Sequence, residues 1–167
     1  RETIEMARHC EALGYSRFWV SEHHGSETIV GSAPEILVSA IAARTKRMKI
    51  GTSVQVLPLA NPLRIAEEGA TVDHISNGRL IFGVGRSGVV KTYEALNIAY
   101  SESKDRENEC LEIIELAWKQ ENFSYKGKFY DIKDVTVVPQ PLQKPTPEIR
   151  IAAASVETFP AAGKAGK

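Results

Sequence analysis

The chain has 167 residues, 43% hydrophobic and 25% charged, which is an ordinary globular composition long enough to bury a core. Lys+Arg and Asp+Glu both total 21, giving a formal net charge of +0 and excluding a general electrostatic attraction to nucleic acid or anionic membrane. No apolar run reaches the length of a membrane span, no signal-peptide pattern opens the chain, and Cys10 and Cys110 read as free thiols; a cytoplasmic protein is the expectation.

Helices and strands alternate along the chain. Ile4, Ala7, Cys10 and Leu13 recur at helical spacing, and Gly14 follows as a stop. A strand over Arg17 to Ser21 leads into a loop to Ser32. There Ser32-Ala33-Pro34-Glu35 reads as a capping box with proline in the first turn, opening a helix to about Arg44. Met48 to Leu57 reads as one long strand. Asn61-Pro62 caps a third helix that ends near Ser76-Asn77-Gly78, and Arg79 to Val84 is a further strand. After a polar stretch, a helix from about Asp105 carries Cys110, Ile113, Ile114, Ala117 and Trp118 on one face. Phe123 to Val138 reads as a hairpin turning at Lys126-Gly127-Lys128. A connector containing Pro139, Pro141, Pro145 and Pro147 leads to a strand over Ile149 to Ala153 and a helix opened by Ser155. Helices separating strands imply right-handed parallel crossovers, hence an α/β chain forming a single domain over 1–167.

The segment Phe18-Trp19-Val20-Ser21-Glu22-His23-His24-Gly25 carries the most chemistry. A β-favouring run ends in a carboxylate and two imidazoles, and α/β folds build active sites at such strand ends. Neighbouring residues of a strand point to opposite faces, so at most one of the histidines looks into a common mouth. A plain reading has one structural and one exposed histidine. A metal hydrolase using Glu22, His23 and His24 is disfavoured, because adjacent histidines do not readily chelate one ion and no further ligand cluster completes a site.

Glu22-His23-His24, the run from Gly51 to Pro62, Asp73-His74-Ile75-Ser76-Asn77-Gly78-Arg79 and Phe82-Gly83-Val84-Gly85-Arg86 together resemble the bacterial luciferase-like family. They occur in order along nearly the whole chain. The resemblance implies a (β/α)8 TIM barrel, of which this chain carries about strands two to five with their helices and a β-hairpin insertion, truncated at both ends. It implies a flavin-dependent monooxygenase that uses reduced FMN, delivered by a separate flavin reductase, and dioxygen to oxidise a small organic substrate. His23 matches the family's catalytic histidine, a base or proton relay. Glu22 and His24 are neighbouring pocket positions. Ser53 and Val54 lie where relatives hold a non-proline cis peptide against the isoalloxazine. Arg86, Arg106, Ser155 and Thr158 match positions around the flavin phosphate, the last two at a helix N-terminus suited to an anion. For Arg106 a solvated helix charge, and for Ser155 a plain N-cap, are the alternative readings.

Two departures bear on activity. Ala154 stands where some luciferases have an acidic residue, and Gly85 where luciferase has a reactive cysteine, so light emission is not implied. A (β/α)8 barrel typically needs about 250 residues, so the expectation is either a fragment of a longer protein or a wall completed by a second copy or another chain. A deazaflavin-dependent oxidoreductase of the same fold, and a non-catalytic flavin-binding relative, are the rival readings.

Overall fold

A computed structural model describes residues 1–29, 31–153, 156 and 158–166. Helix α1 (Glu2–Ala12) ends where Gly14 takes φ +87°, its amide donating to the Glu11 carbonyl. Ala7 is fully buried with Ile4 and Cys10 packed beside it, but Leu13 falls in the cap and is exposed, leaving the predicted stripe. Strand β1 (Arg17–Val20) precedes α2 (Pro34–Ala42). The expected Ser32 cap is corrected: with Pro34 in the first turn, Ala33 takes the N-cap position, and no side chain caps the helix.

The predicted long strand is divided into β2 (Lys49–Thr52) and β3 (Gln55–Val56), and the Ser53–Val54 peptide between them is cis. Helix α3 (Pro62–Ser76) begins as expected, Asn61 Oδ1 accepting from the Leu63 amide at 3.0 Å, and ends on Asn77 and Gly78 with φ of 56° and 75°. Strand β4 (Leu80–Gly85) follows. The stretch read as polar contains a short helix α4 (Val90–Ala95) and a 3-10 turn, and α5 runs over Ser103–Lys119. Strands β5 (Phe123–Lys126) and β6 (Asp131–Val135) form the expected antiparallel hairpin; β7 (Glu148–Ile151) and α6 (Thr158–Ala165) close the chain.

Strands β1, β2, β3, β4 and β7 form one sheet in which every pairing is parallel. Trp19 is level with Gly51, Gly51 with Ile81, Val56 with Gly85, and Gly83 with Arg150. Segments β2 and β3 thus run in succession along one side of β4, with β7 on its other side.

The side chains of Val20, Ile50 and Leu80 pack on Ala7, Val38, Ile41 and Val72 of the helices. Further along, Phe82, Val84 and Ile149 pack on Ile65, Ile113, Ile114 and Trp118. Each large side chain buried in this layer contributes roughly 1.5–3 kcal/mol. Trp118 is the pivot of the second cluster. It meets Phe82 edge-on at 5.1 Å and donates its indole N–H to the Ala66 carbonyl at 3.0 Å. Gly69 makes room for it, since a Cβ there would stand 2.8 Å from the indole.

Two polar devices lock the ends of the sheet opposite the strand C-termini. The Arg79 guanidinium donates to the carbonyls of Ser76, Met48, Ala42 and Thr45 and to the Thr45 hydroxyl, at 2.6–3.0 Å. The Glu11 carboxylate accepts from the amides of Lys46, Arg47 and Met48 at 2.7–3.0 Å, tying α1 to the turn before β2. Burial pushes the Glu11 carboxyl up, but those amides and Arg47 outweigh it and hold it below the usual carboxylate range.

Candidate functional site

Parallel strands deliver their C-terminal ends to one side of the sheet. That side gathers Glu22, His23 and His24 after β1, Ser53 and Val54 before β3, Arg86 after β4 and Ala152 after β7. The structure therefore brings together strand-end groups that lie far apart in the sequence.

Alternation divides the Glu22–His24 triplet. Val20 points into the helix layer, and Glu22 and His24 share its parity; Trp19, on the opposite face, shares parity with His23. Glu22 Oε1 lies 2.7 Å from His24 Nε2, and its Oε2 accepts from the Val56 amide at 2.7 Å. Both carboxylate oxygens are thus engaged within the protein, and the side chain is 5% exposed. Burial raises the Glu22 carboxyl above its usual range, the Val56 amide and His24 opposing and the charge of Glu35 reinforcing the rise. His23 is held by its backbone, its amide donating to the Gly31 carbonyl at 2.7 Å and pinning the far end of the loop.

Arg86 meets the first turn of α5, its Nη1 donating to Ser103 Oγ at 3.2 Å. The Tyr93 hydroxyl donates to the Arg86 carbonyl, and Tyr93 packs edge-on against Tyr100 at 5.1 Å. Burial lifts the Tyr93 hydroxyl to about 12. Glu107 is raised by burial as well, with Arg86 and Lys104 pulling it back. Arg106 lies on the same stretch of helix. Its Nε and Nη2 reach Glu102 Oε2 at 3.0 and 2.9 Å, and its guanidinium stacks on Phe129 at 4.3 Å. Arg106 is therefore committed to a carboxylate and an aromatic face, whereas among the described residues Arg86 spends a single side-chain bond on a hydroxyl. Thr158 is the first residue of α6; Ser155 lies outside the described residues.

A cavity of about 440 Å³ opens on the face away from the helices, between Trp19, Ser53, Val54, Gly83, Arg150 and Ala152. Glycines shape its walls. A Cβ on Gly51 would meet the Trp19 ring at 2.7 Å, and one on Gly83 would stand 1.9 Å from the Thr52 carbonyl oxygen. A Cβ on Gly85 would meet Val54 Cγ2 at 2.8 Å and Ala152 Cβ at 3.3 Å. The indole consequently lies over the Gly51 backbone, leaving the space beside Val54 and Ala152 clear. The Arg150 guanidinium stands 5.7 Å from the Trp19 ring centre.

Trp19 and Arg150 were not read as site residues from the sequence. The signal available was glycine at Gly51 and Gly83, alternate strand positions level with Trp19 and Arg150, which marks a large side chain lying across a sheet. Among the described residues, no helix is long and apolar enough to cross a membrane.

Residues 1–167 match the sequence model of the luciferase-like monooxygenases. The oxygenase component of a flavin-dependent trigonelline monooxygenase from Acinetobacter baylyi is 32% identical, over 91% of this chain and 42% of its own length. An F420-dependent glucose-6-phosphate dehydrogenase from Amycolatopsis mediterranei is 34% identical, over 99% of this chain and 51% of its own. The crystal structure of the monooxygenase RslO1 from Streptomyces bottropensis superposes with a TM-score of 0.90 at 30% identity, covering 99% of this chain and 50% of that one. The chain spans about half the length of the curated relatives it matches.

Proposed function

The chain belongs to the luciferase-like monooxygenase family, and from that premise we propose that it forms the flavin-binding part of a TIM barrel and serves a monooxygenase that uses reduced FMN and dioxygen on a small organic substrate. The observation that carries this reading is the cavity beside Ser53 and Val54 at the strand ends. It lies where the family resemblance seats the isoalloxazine, and Gly85 keeps it clear, since a Cβ there would press on Val54 and Ala152. The donor set fits as well, with an arginine at the end of β4 for a phosphate and an apolar valine for a ring face.

Reduced FMN, when bound, supplies the electrons that activate dioxygen. In this reading Val54 gives the ring an apolar wall, and Arg86 turns from Ser103 to the phosphate. Thr158, the first residue of α6, and Ser155 before it in the sequence are carried into this reading by the family resemblance alone. His23 holds or moves a proton at the mouth. Glu22 and His24, bonded to one another, brace the loop that carries His23 rather than touch the cofactor. Arg106 lies on α5, whose first turn meets Arg86 at Ser103, and steadies that turn through Glu102. The open edges at β1 and β7 are closed by further strands of the same barrel or by a second chain. A separate reductase supplies the reduced flavin, in keeping with the relative named as an oxygenase component.

The second reading is hydride transfer with a deazaflavin coenzyme, favoured by the F420-dependent relative at 34% identity. Anaerobic titration with reduced FMN, and separately with reduced deazaflavin, distinguishes them. Saturable binding of FMN, followed on admitting oxygen by reoxidation at a rate unlike that of free reduced FMN, is expected. Absence of FMN binding, with reoxidation as in free solution, refutes the monooxygenase reading, and tight deazaflavin binding then selects the alternative.

A further inference from the structure

The seam between α2, α3 and the sheet holds polar groups that the proposed flavin chemistry does not use. A cavity of about 20 Å³ is bounded there by Glu35 and Val38 of α2, Glu68 and Gly69 of α3, and Thr52 and Gln55 of the sheet. A volume of roughly 10–15 Å³ already admits one water-sized species, so a single small ion fits. The cavity lies on the helix side of the sheet, and its walls are elements of this chain packed on one another.

Gln55 is the group without a counterpart. It is only 7% exposed, yet its side-chain amide has no hydrogen-bond partner among the described residues, a costly state for a buried polar group. The amide atoms are not sealed within protein; they open on the cavity that Gln55 lines. Thr52 borders the same space, and its hydroxyl donates to the Gly83 carbonyl at 2.7 Å, which leaves its oxygen lone pairs available.

The seam is also short of positive charge. Glu35 makes no side-chain hydrogen bond or ion pair among the described residues. Glu68 gives one oxygen to Arg64 Nε at 2.8 Å and keeps the other unengaged. Both carboxylates also border an outer groove of about 290 Å³ between the two helices, together with Glu67 and Arg64. Arg64, 3.9 Å from Glu67 as well, is the sole cation lining either space, so three carboxylates and one guanidinium leave two negative charges uncompensated. Burial raises the Glu68 carboxyl above its usual range, the charge of Glu35 adding to the rise and Arg64 opposing it.

We propose that Glu35, Glu68 and Gln55 bind a hard divalent cation of the calcium class at this seam, with Thr52 and water from the groove completing its oxygen shell. The donor set decides the class. Carboxylate, amide carbonyl, hydroxyl and water oxygens suit calcium, which accepts about six to eight oxygen ligands in flexible geometry. Among the described residues no three His, Cys, Asp or Glu side chains form a metal-holding group. Neutral oxygens must therefore complete the set, which disfavours zinc and other metals that call for nitrogen or sulfur. An ion here ties α2 and α3 to β3, the segment that starts directly after Val54. The assignment stands apart from the flavin reading, since no donor in it belongs to the flavin cavity except Thr52, on the cavity's edge.

The test titrates calcium chloride into the full chain by calorimetry at fixed ionic strength, with no flavin present, and follows melting by circular dichroism in calcium and in EDTA. Saturable binding with a Kd of about 0.1–1 mM, the range of shallow calcium sites, and a higher melting temperature in calcium are expected. Gln55→Met keeps the chain length but removes the amide. It should weaken calcium at least tenfold and melt no lower than wild type in EDTA, because an unpartnered buried amide gives way to an apolar chain. Glu35→Gln, on a different element, should weaken calcium as much and also melt no lower in EDTA, since a repelling charge is removed. Glu121→Gln, an exposed carboxylate outside the seam, should bind calcium as wild type does. Absence of saturable binding up to about 10 mM, well above that range, overturns the proposal and leaves the cavity to water. An equal melting shift from potassium chloride at the same ionic strength also overturns it, because screening alone would then suffice. So does undiminished calcium binding by Gln55→Met, which would assign the ion to the groove carboxylates, or a marked fall of that variant's melting temperature in EDTA, which would show the amide already partnered within the protein.

Discussion

Replacing Arg79 by alanine removes one side chain and leaves five acceptors. Its guanidinium donates to the carbonyls of Ser76, Met48, Ala42 and Thr45 and to the Thr45 hydroxyl, joining the end of α2, the start of β2 and the end of α3. Thr45 is 5% exposed, so part of this acceptor set has no ready access to water. A bond from a charged donor is worth about 1.5–3 kcal/mol, and a buried acceptor left bare costs about 1–3 kcal/mol. Water reaches part of the site because Arg79 is only half-buried, which brings the expected loss to about 3–5 kcal/mol rather than the sum. That is a large share of the roughly 5–15 kcal/mol available to a domain. Lysine keeps the charge but offers three donors in place of five, so Arg79→Lys should recover about half of the loss. Urea unfolding followed by circular dichroism reads both variants, with the slope of free energy against urea checked for constancy. An Arg79→Ala variant within about 1 kcal/mol of wild type, or an Arg79→Lys variant as stable as wild type, refutes the reasoning.

Gly69→Ala raises intrinsic helix propensity by about 1 kcal/mol, yet it should destabilise by about 1–3 kcal/mol, because the new Cβ stands 2.8 Å from the Trp118 indole; a higher melting temperature would contradict this. Glu11→Gln should cost about 1 kcal/mol near neutral pH, where the charged form accepts the amides of residues 46–48. Since the folded Glu11 carboxyl is depressed, its contribution is present above the ordinary carboxyl value and is lost as pH falls through the depressed one. The gap between variant and wild type should therefore close in acid, and a pH-independent gap would show that charge is not the cause. His23→Ala should lower substrate turnover far more than flavin affinity, measured by coupled oxygen consumption and by flavin titration; equal losses would assign His23 to binding.

The parallel α/β order, the hairpin and the α3 boundaries were legible because each is written locally, in Asn61-Pro62, Asn77-Gly78 and the spacing of Cys110, Ile113 and Ala117. The Ser32 cap was misread because Pro34 decides which residue takes the N-cap position. The division of the strand at Ser53–Val54 has no local signature, as the run on either side is equally β-favouring. Within the candidate site, Glu22, His23 and His24 were found through their chemistry, but the Glu22 bonds to His24 and the Val56 amide depend on a neighbouring strand. The run Asp73 to Arg79, which helped identify the family, proves to be architectural. Asp73 accepts from the backbone and side-chain amides of Gln143, and Arg79 gathers carbonyls. A motif can thus identify a family while its residues only hold the frame in which the chemistry sits.

The hairpin of β5 and β6 is fastened chiefly to the helix that precedes it. Glu109 accepts from the amides of Lys128 and Phe129, Glu112 accepts from the Tyr125 hydroxyl, and Cys110 lies 3.2 Å from the Tyr130 hydroxyl. These partners are separated by 13 to 20 positions along the chain, so the contacts between α5 and the hairpin are comparatively local, of the kind that closes at low entropic cost. The unit is fastened to α5 and pairs with no strand of the parallel sheet, so a change within it leaves the register of the strand ends as it is. Variation in such an appendage would reshape what approaches the mouth and leave the machinery within it undisturbed.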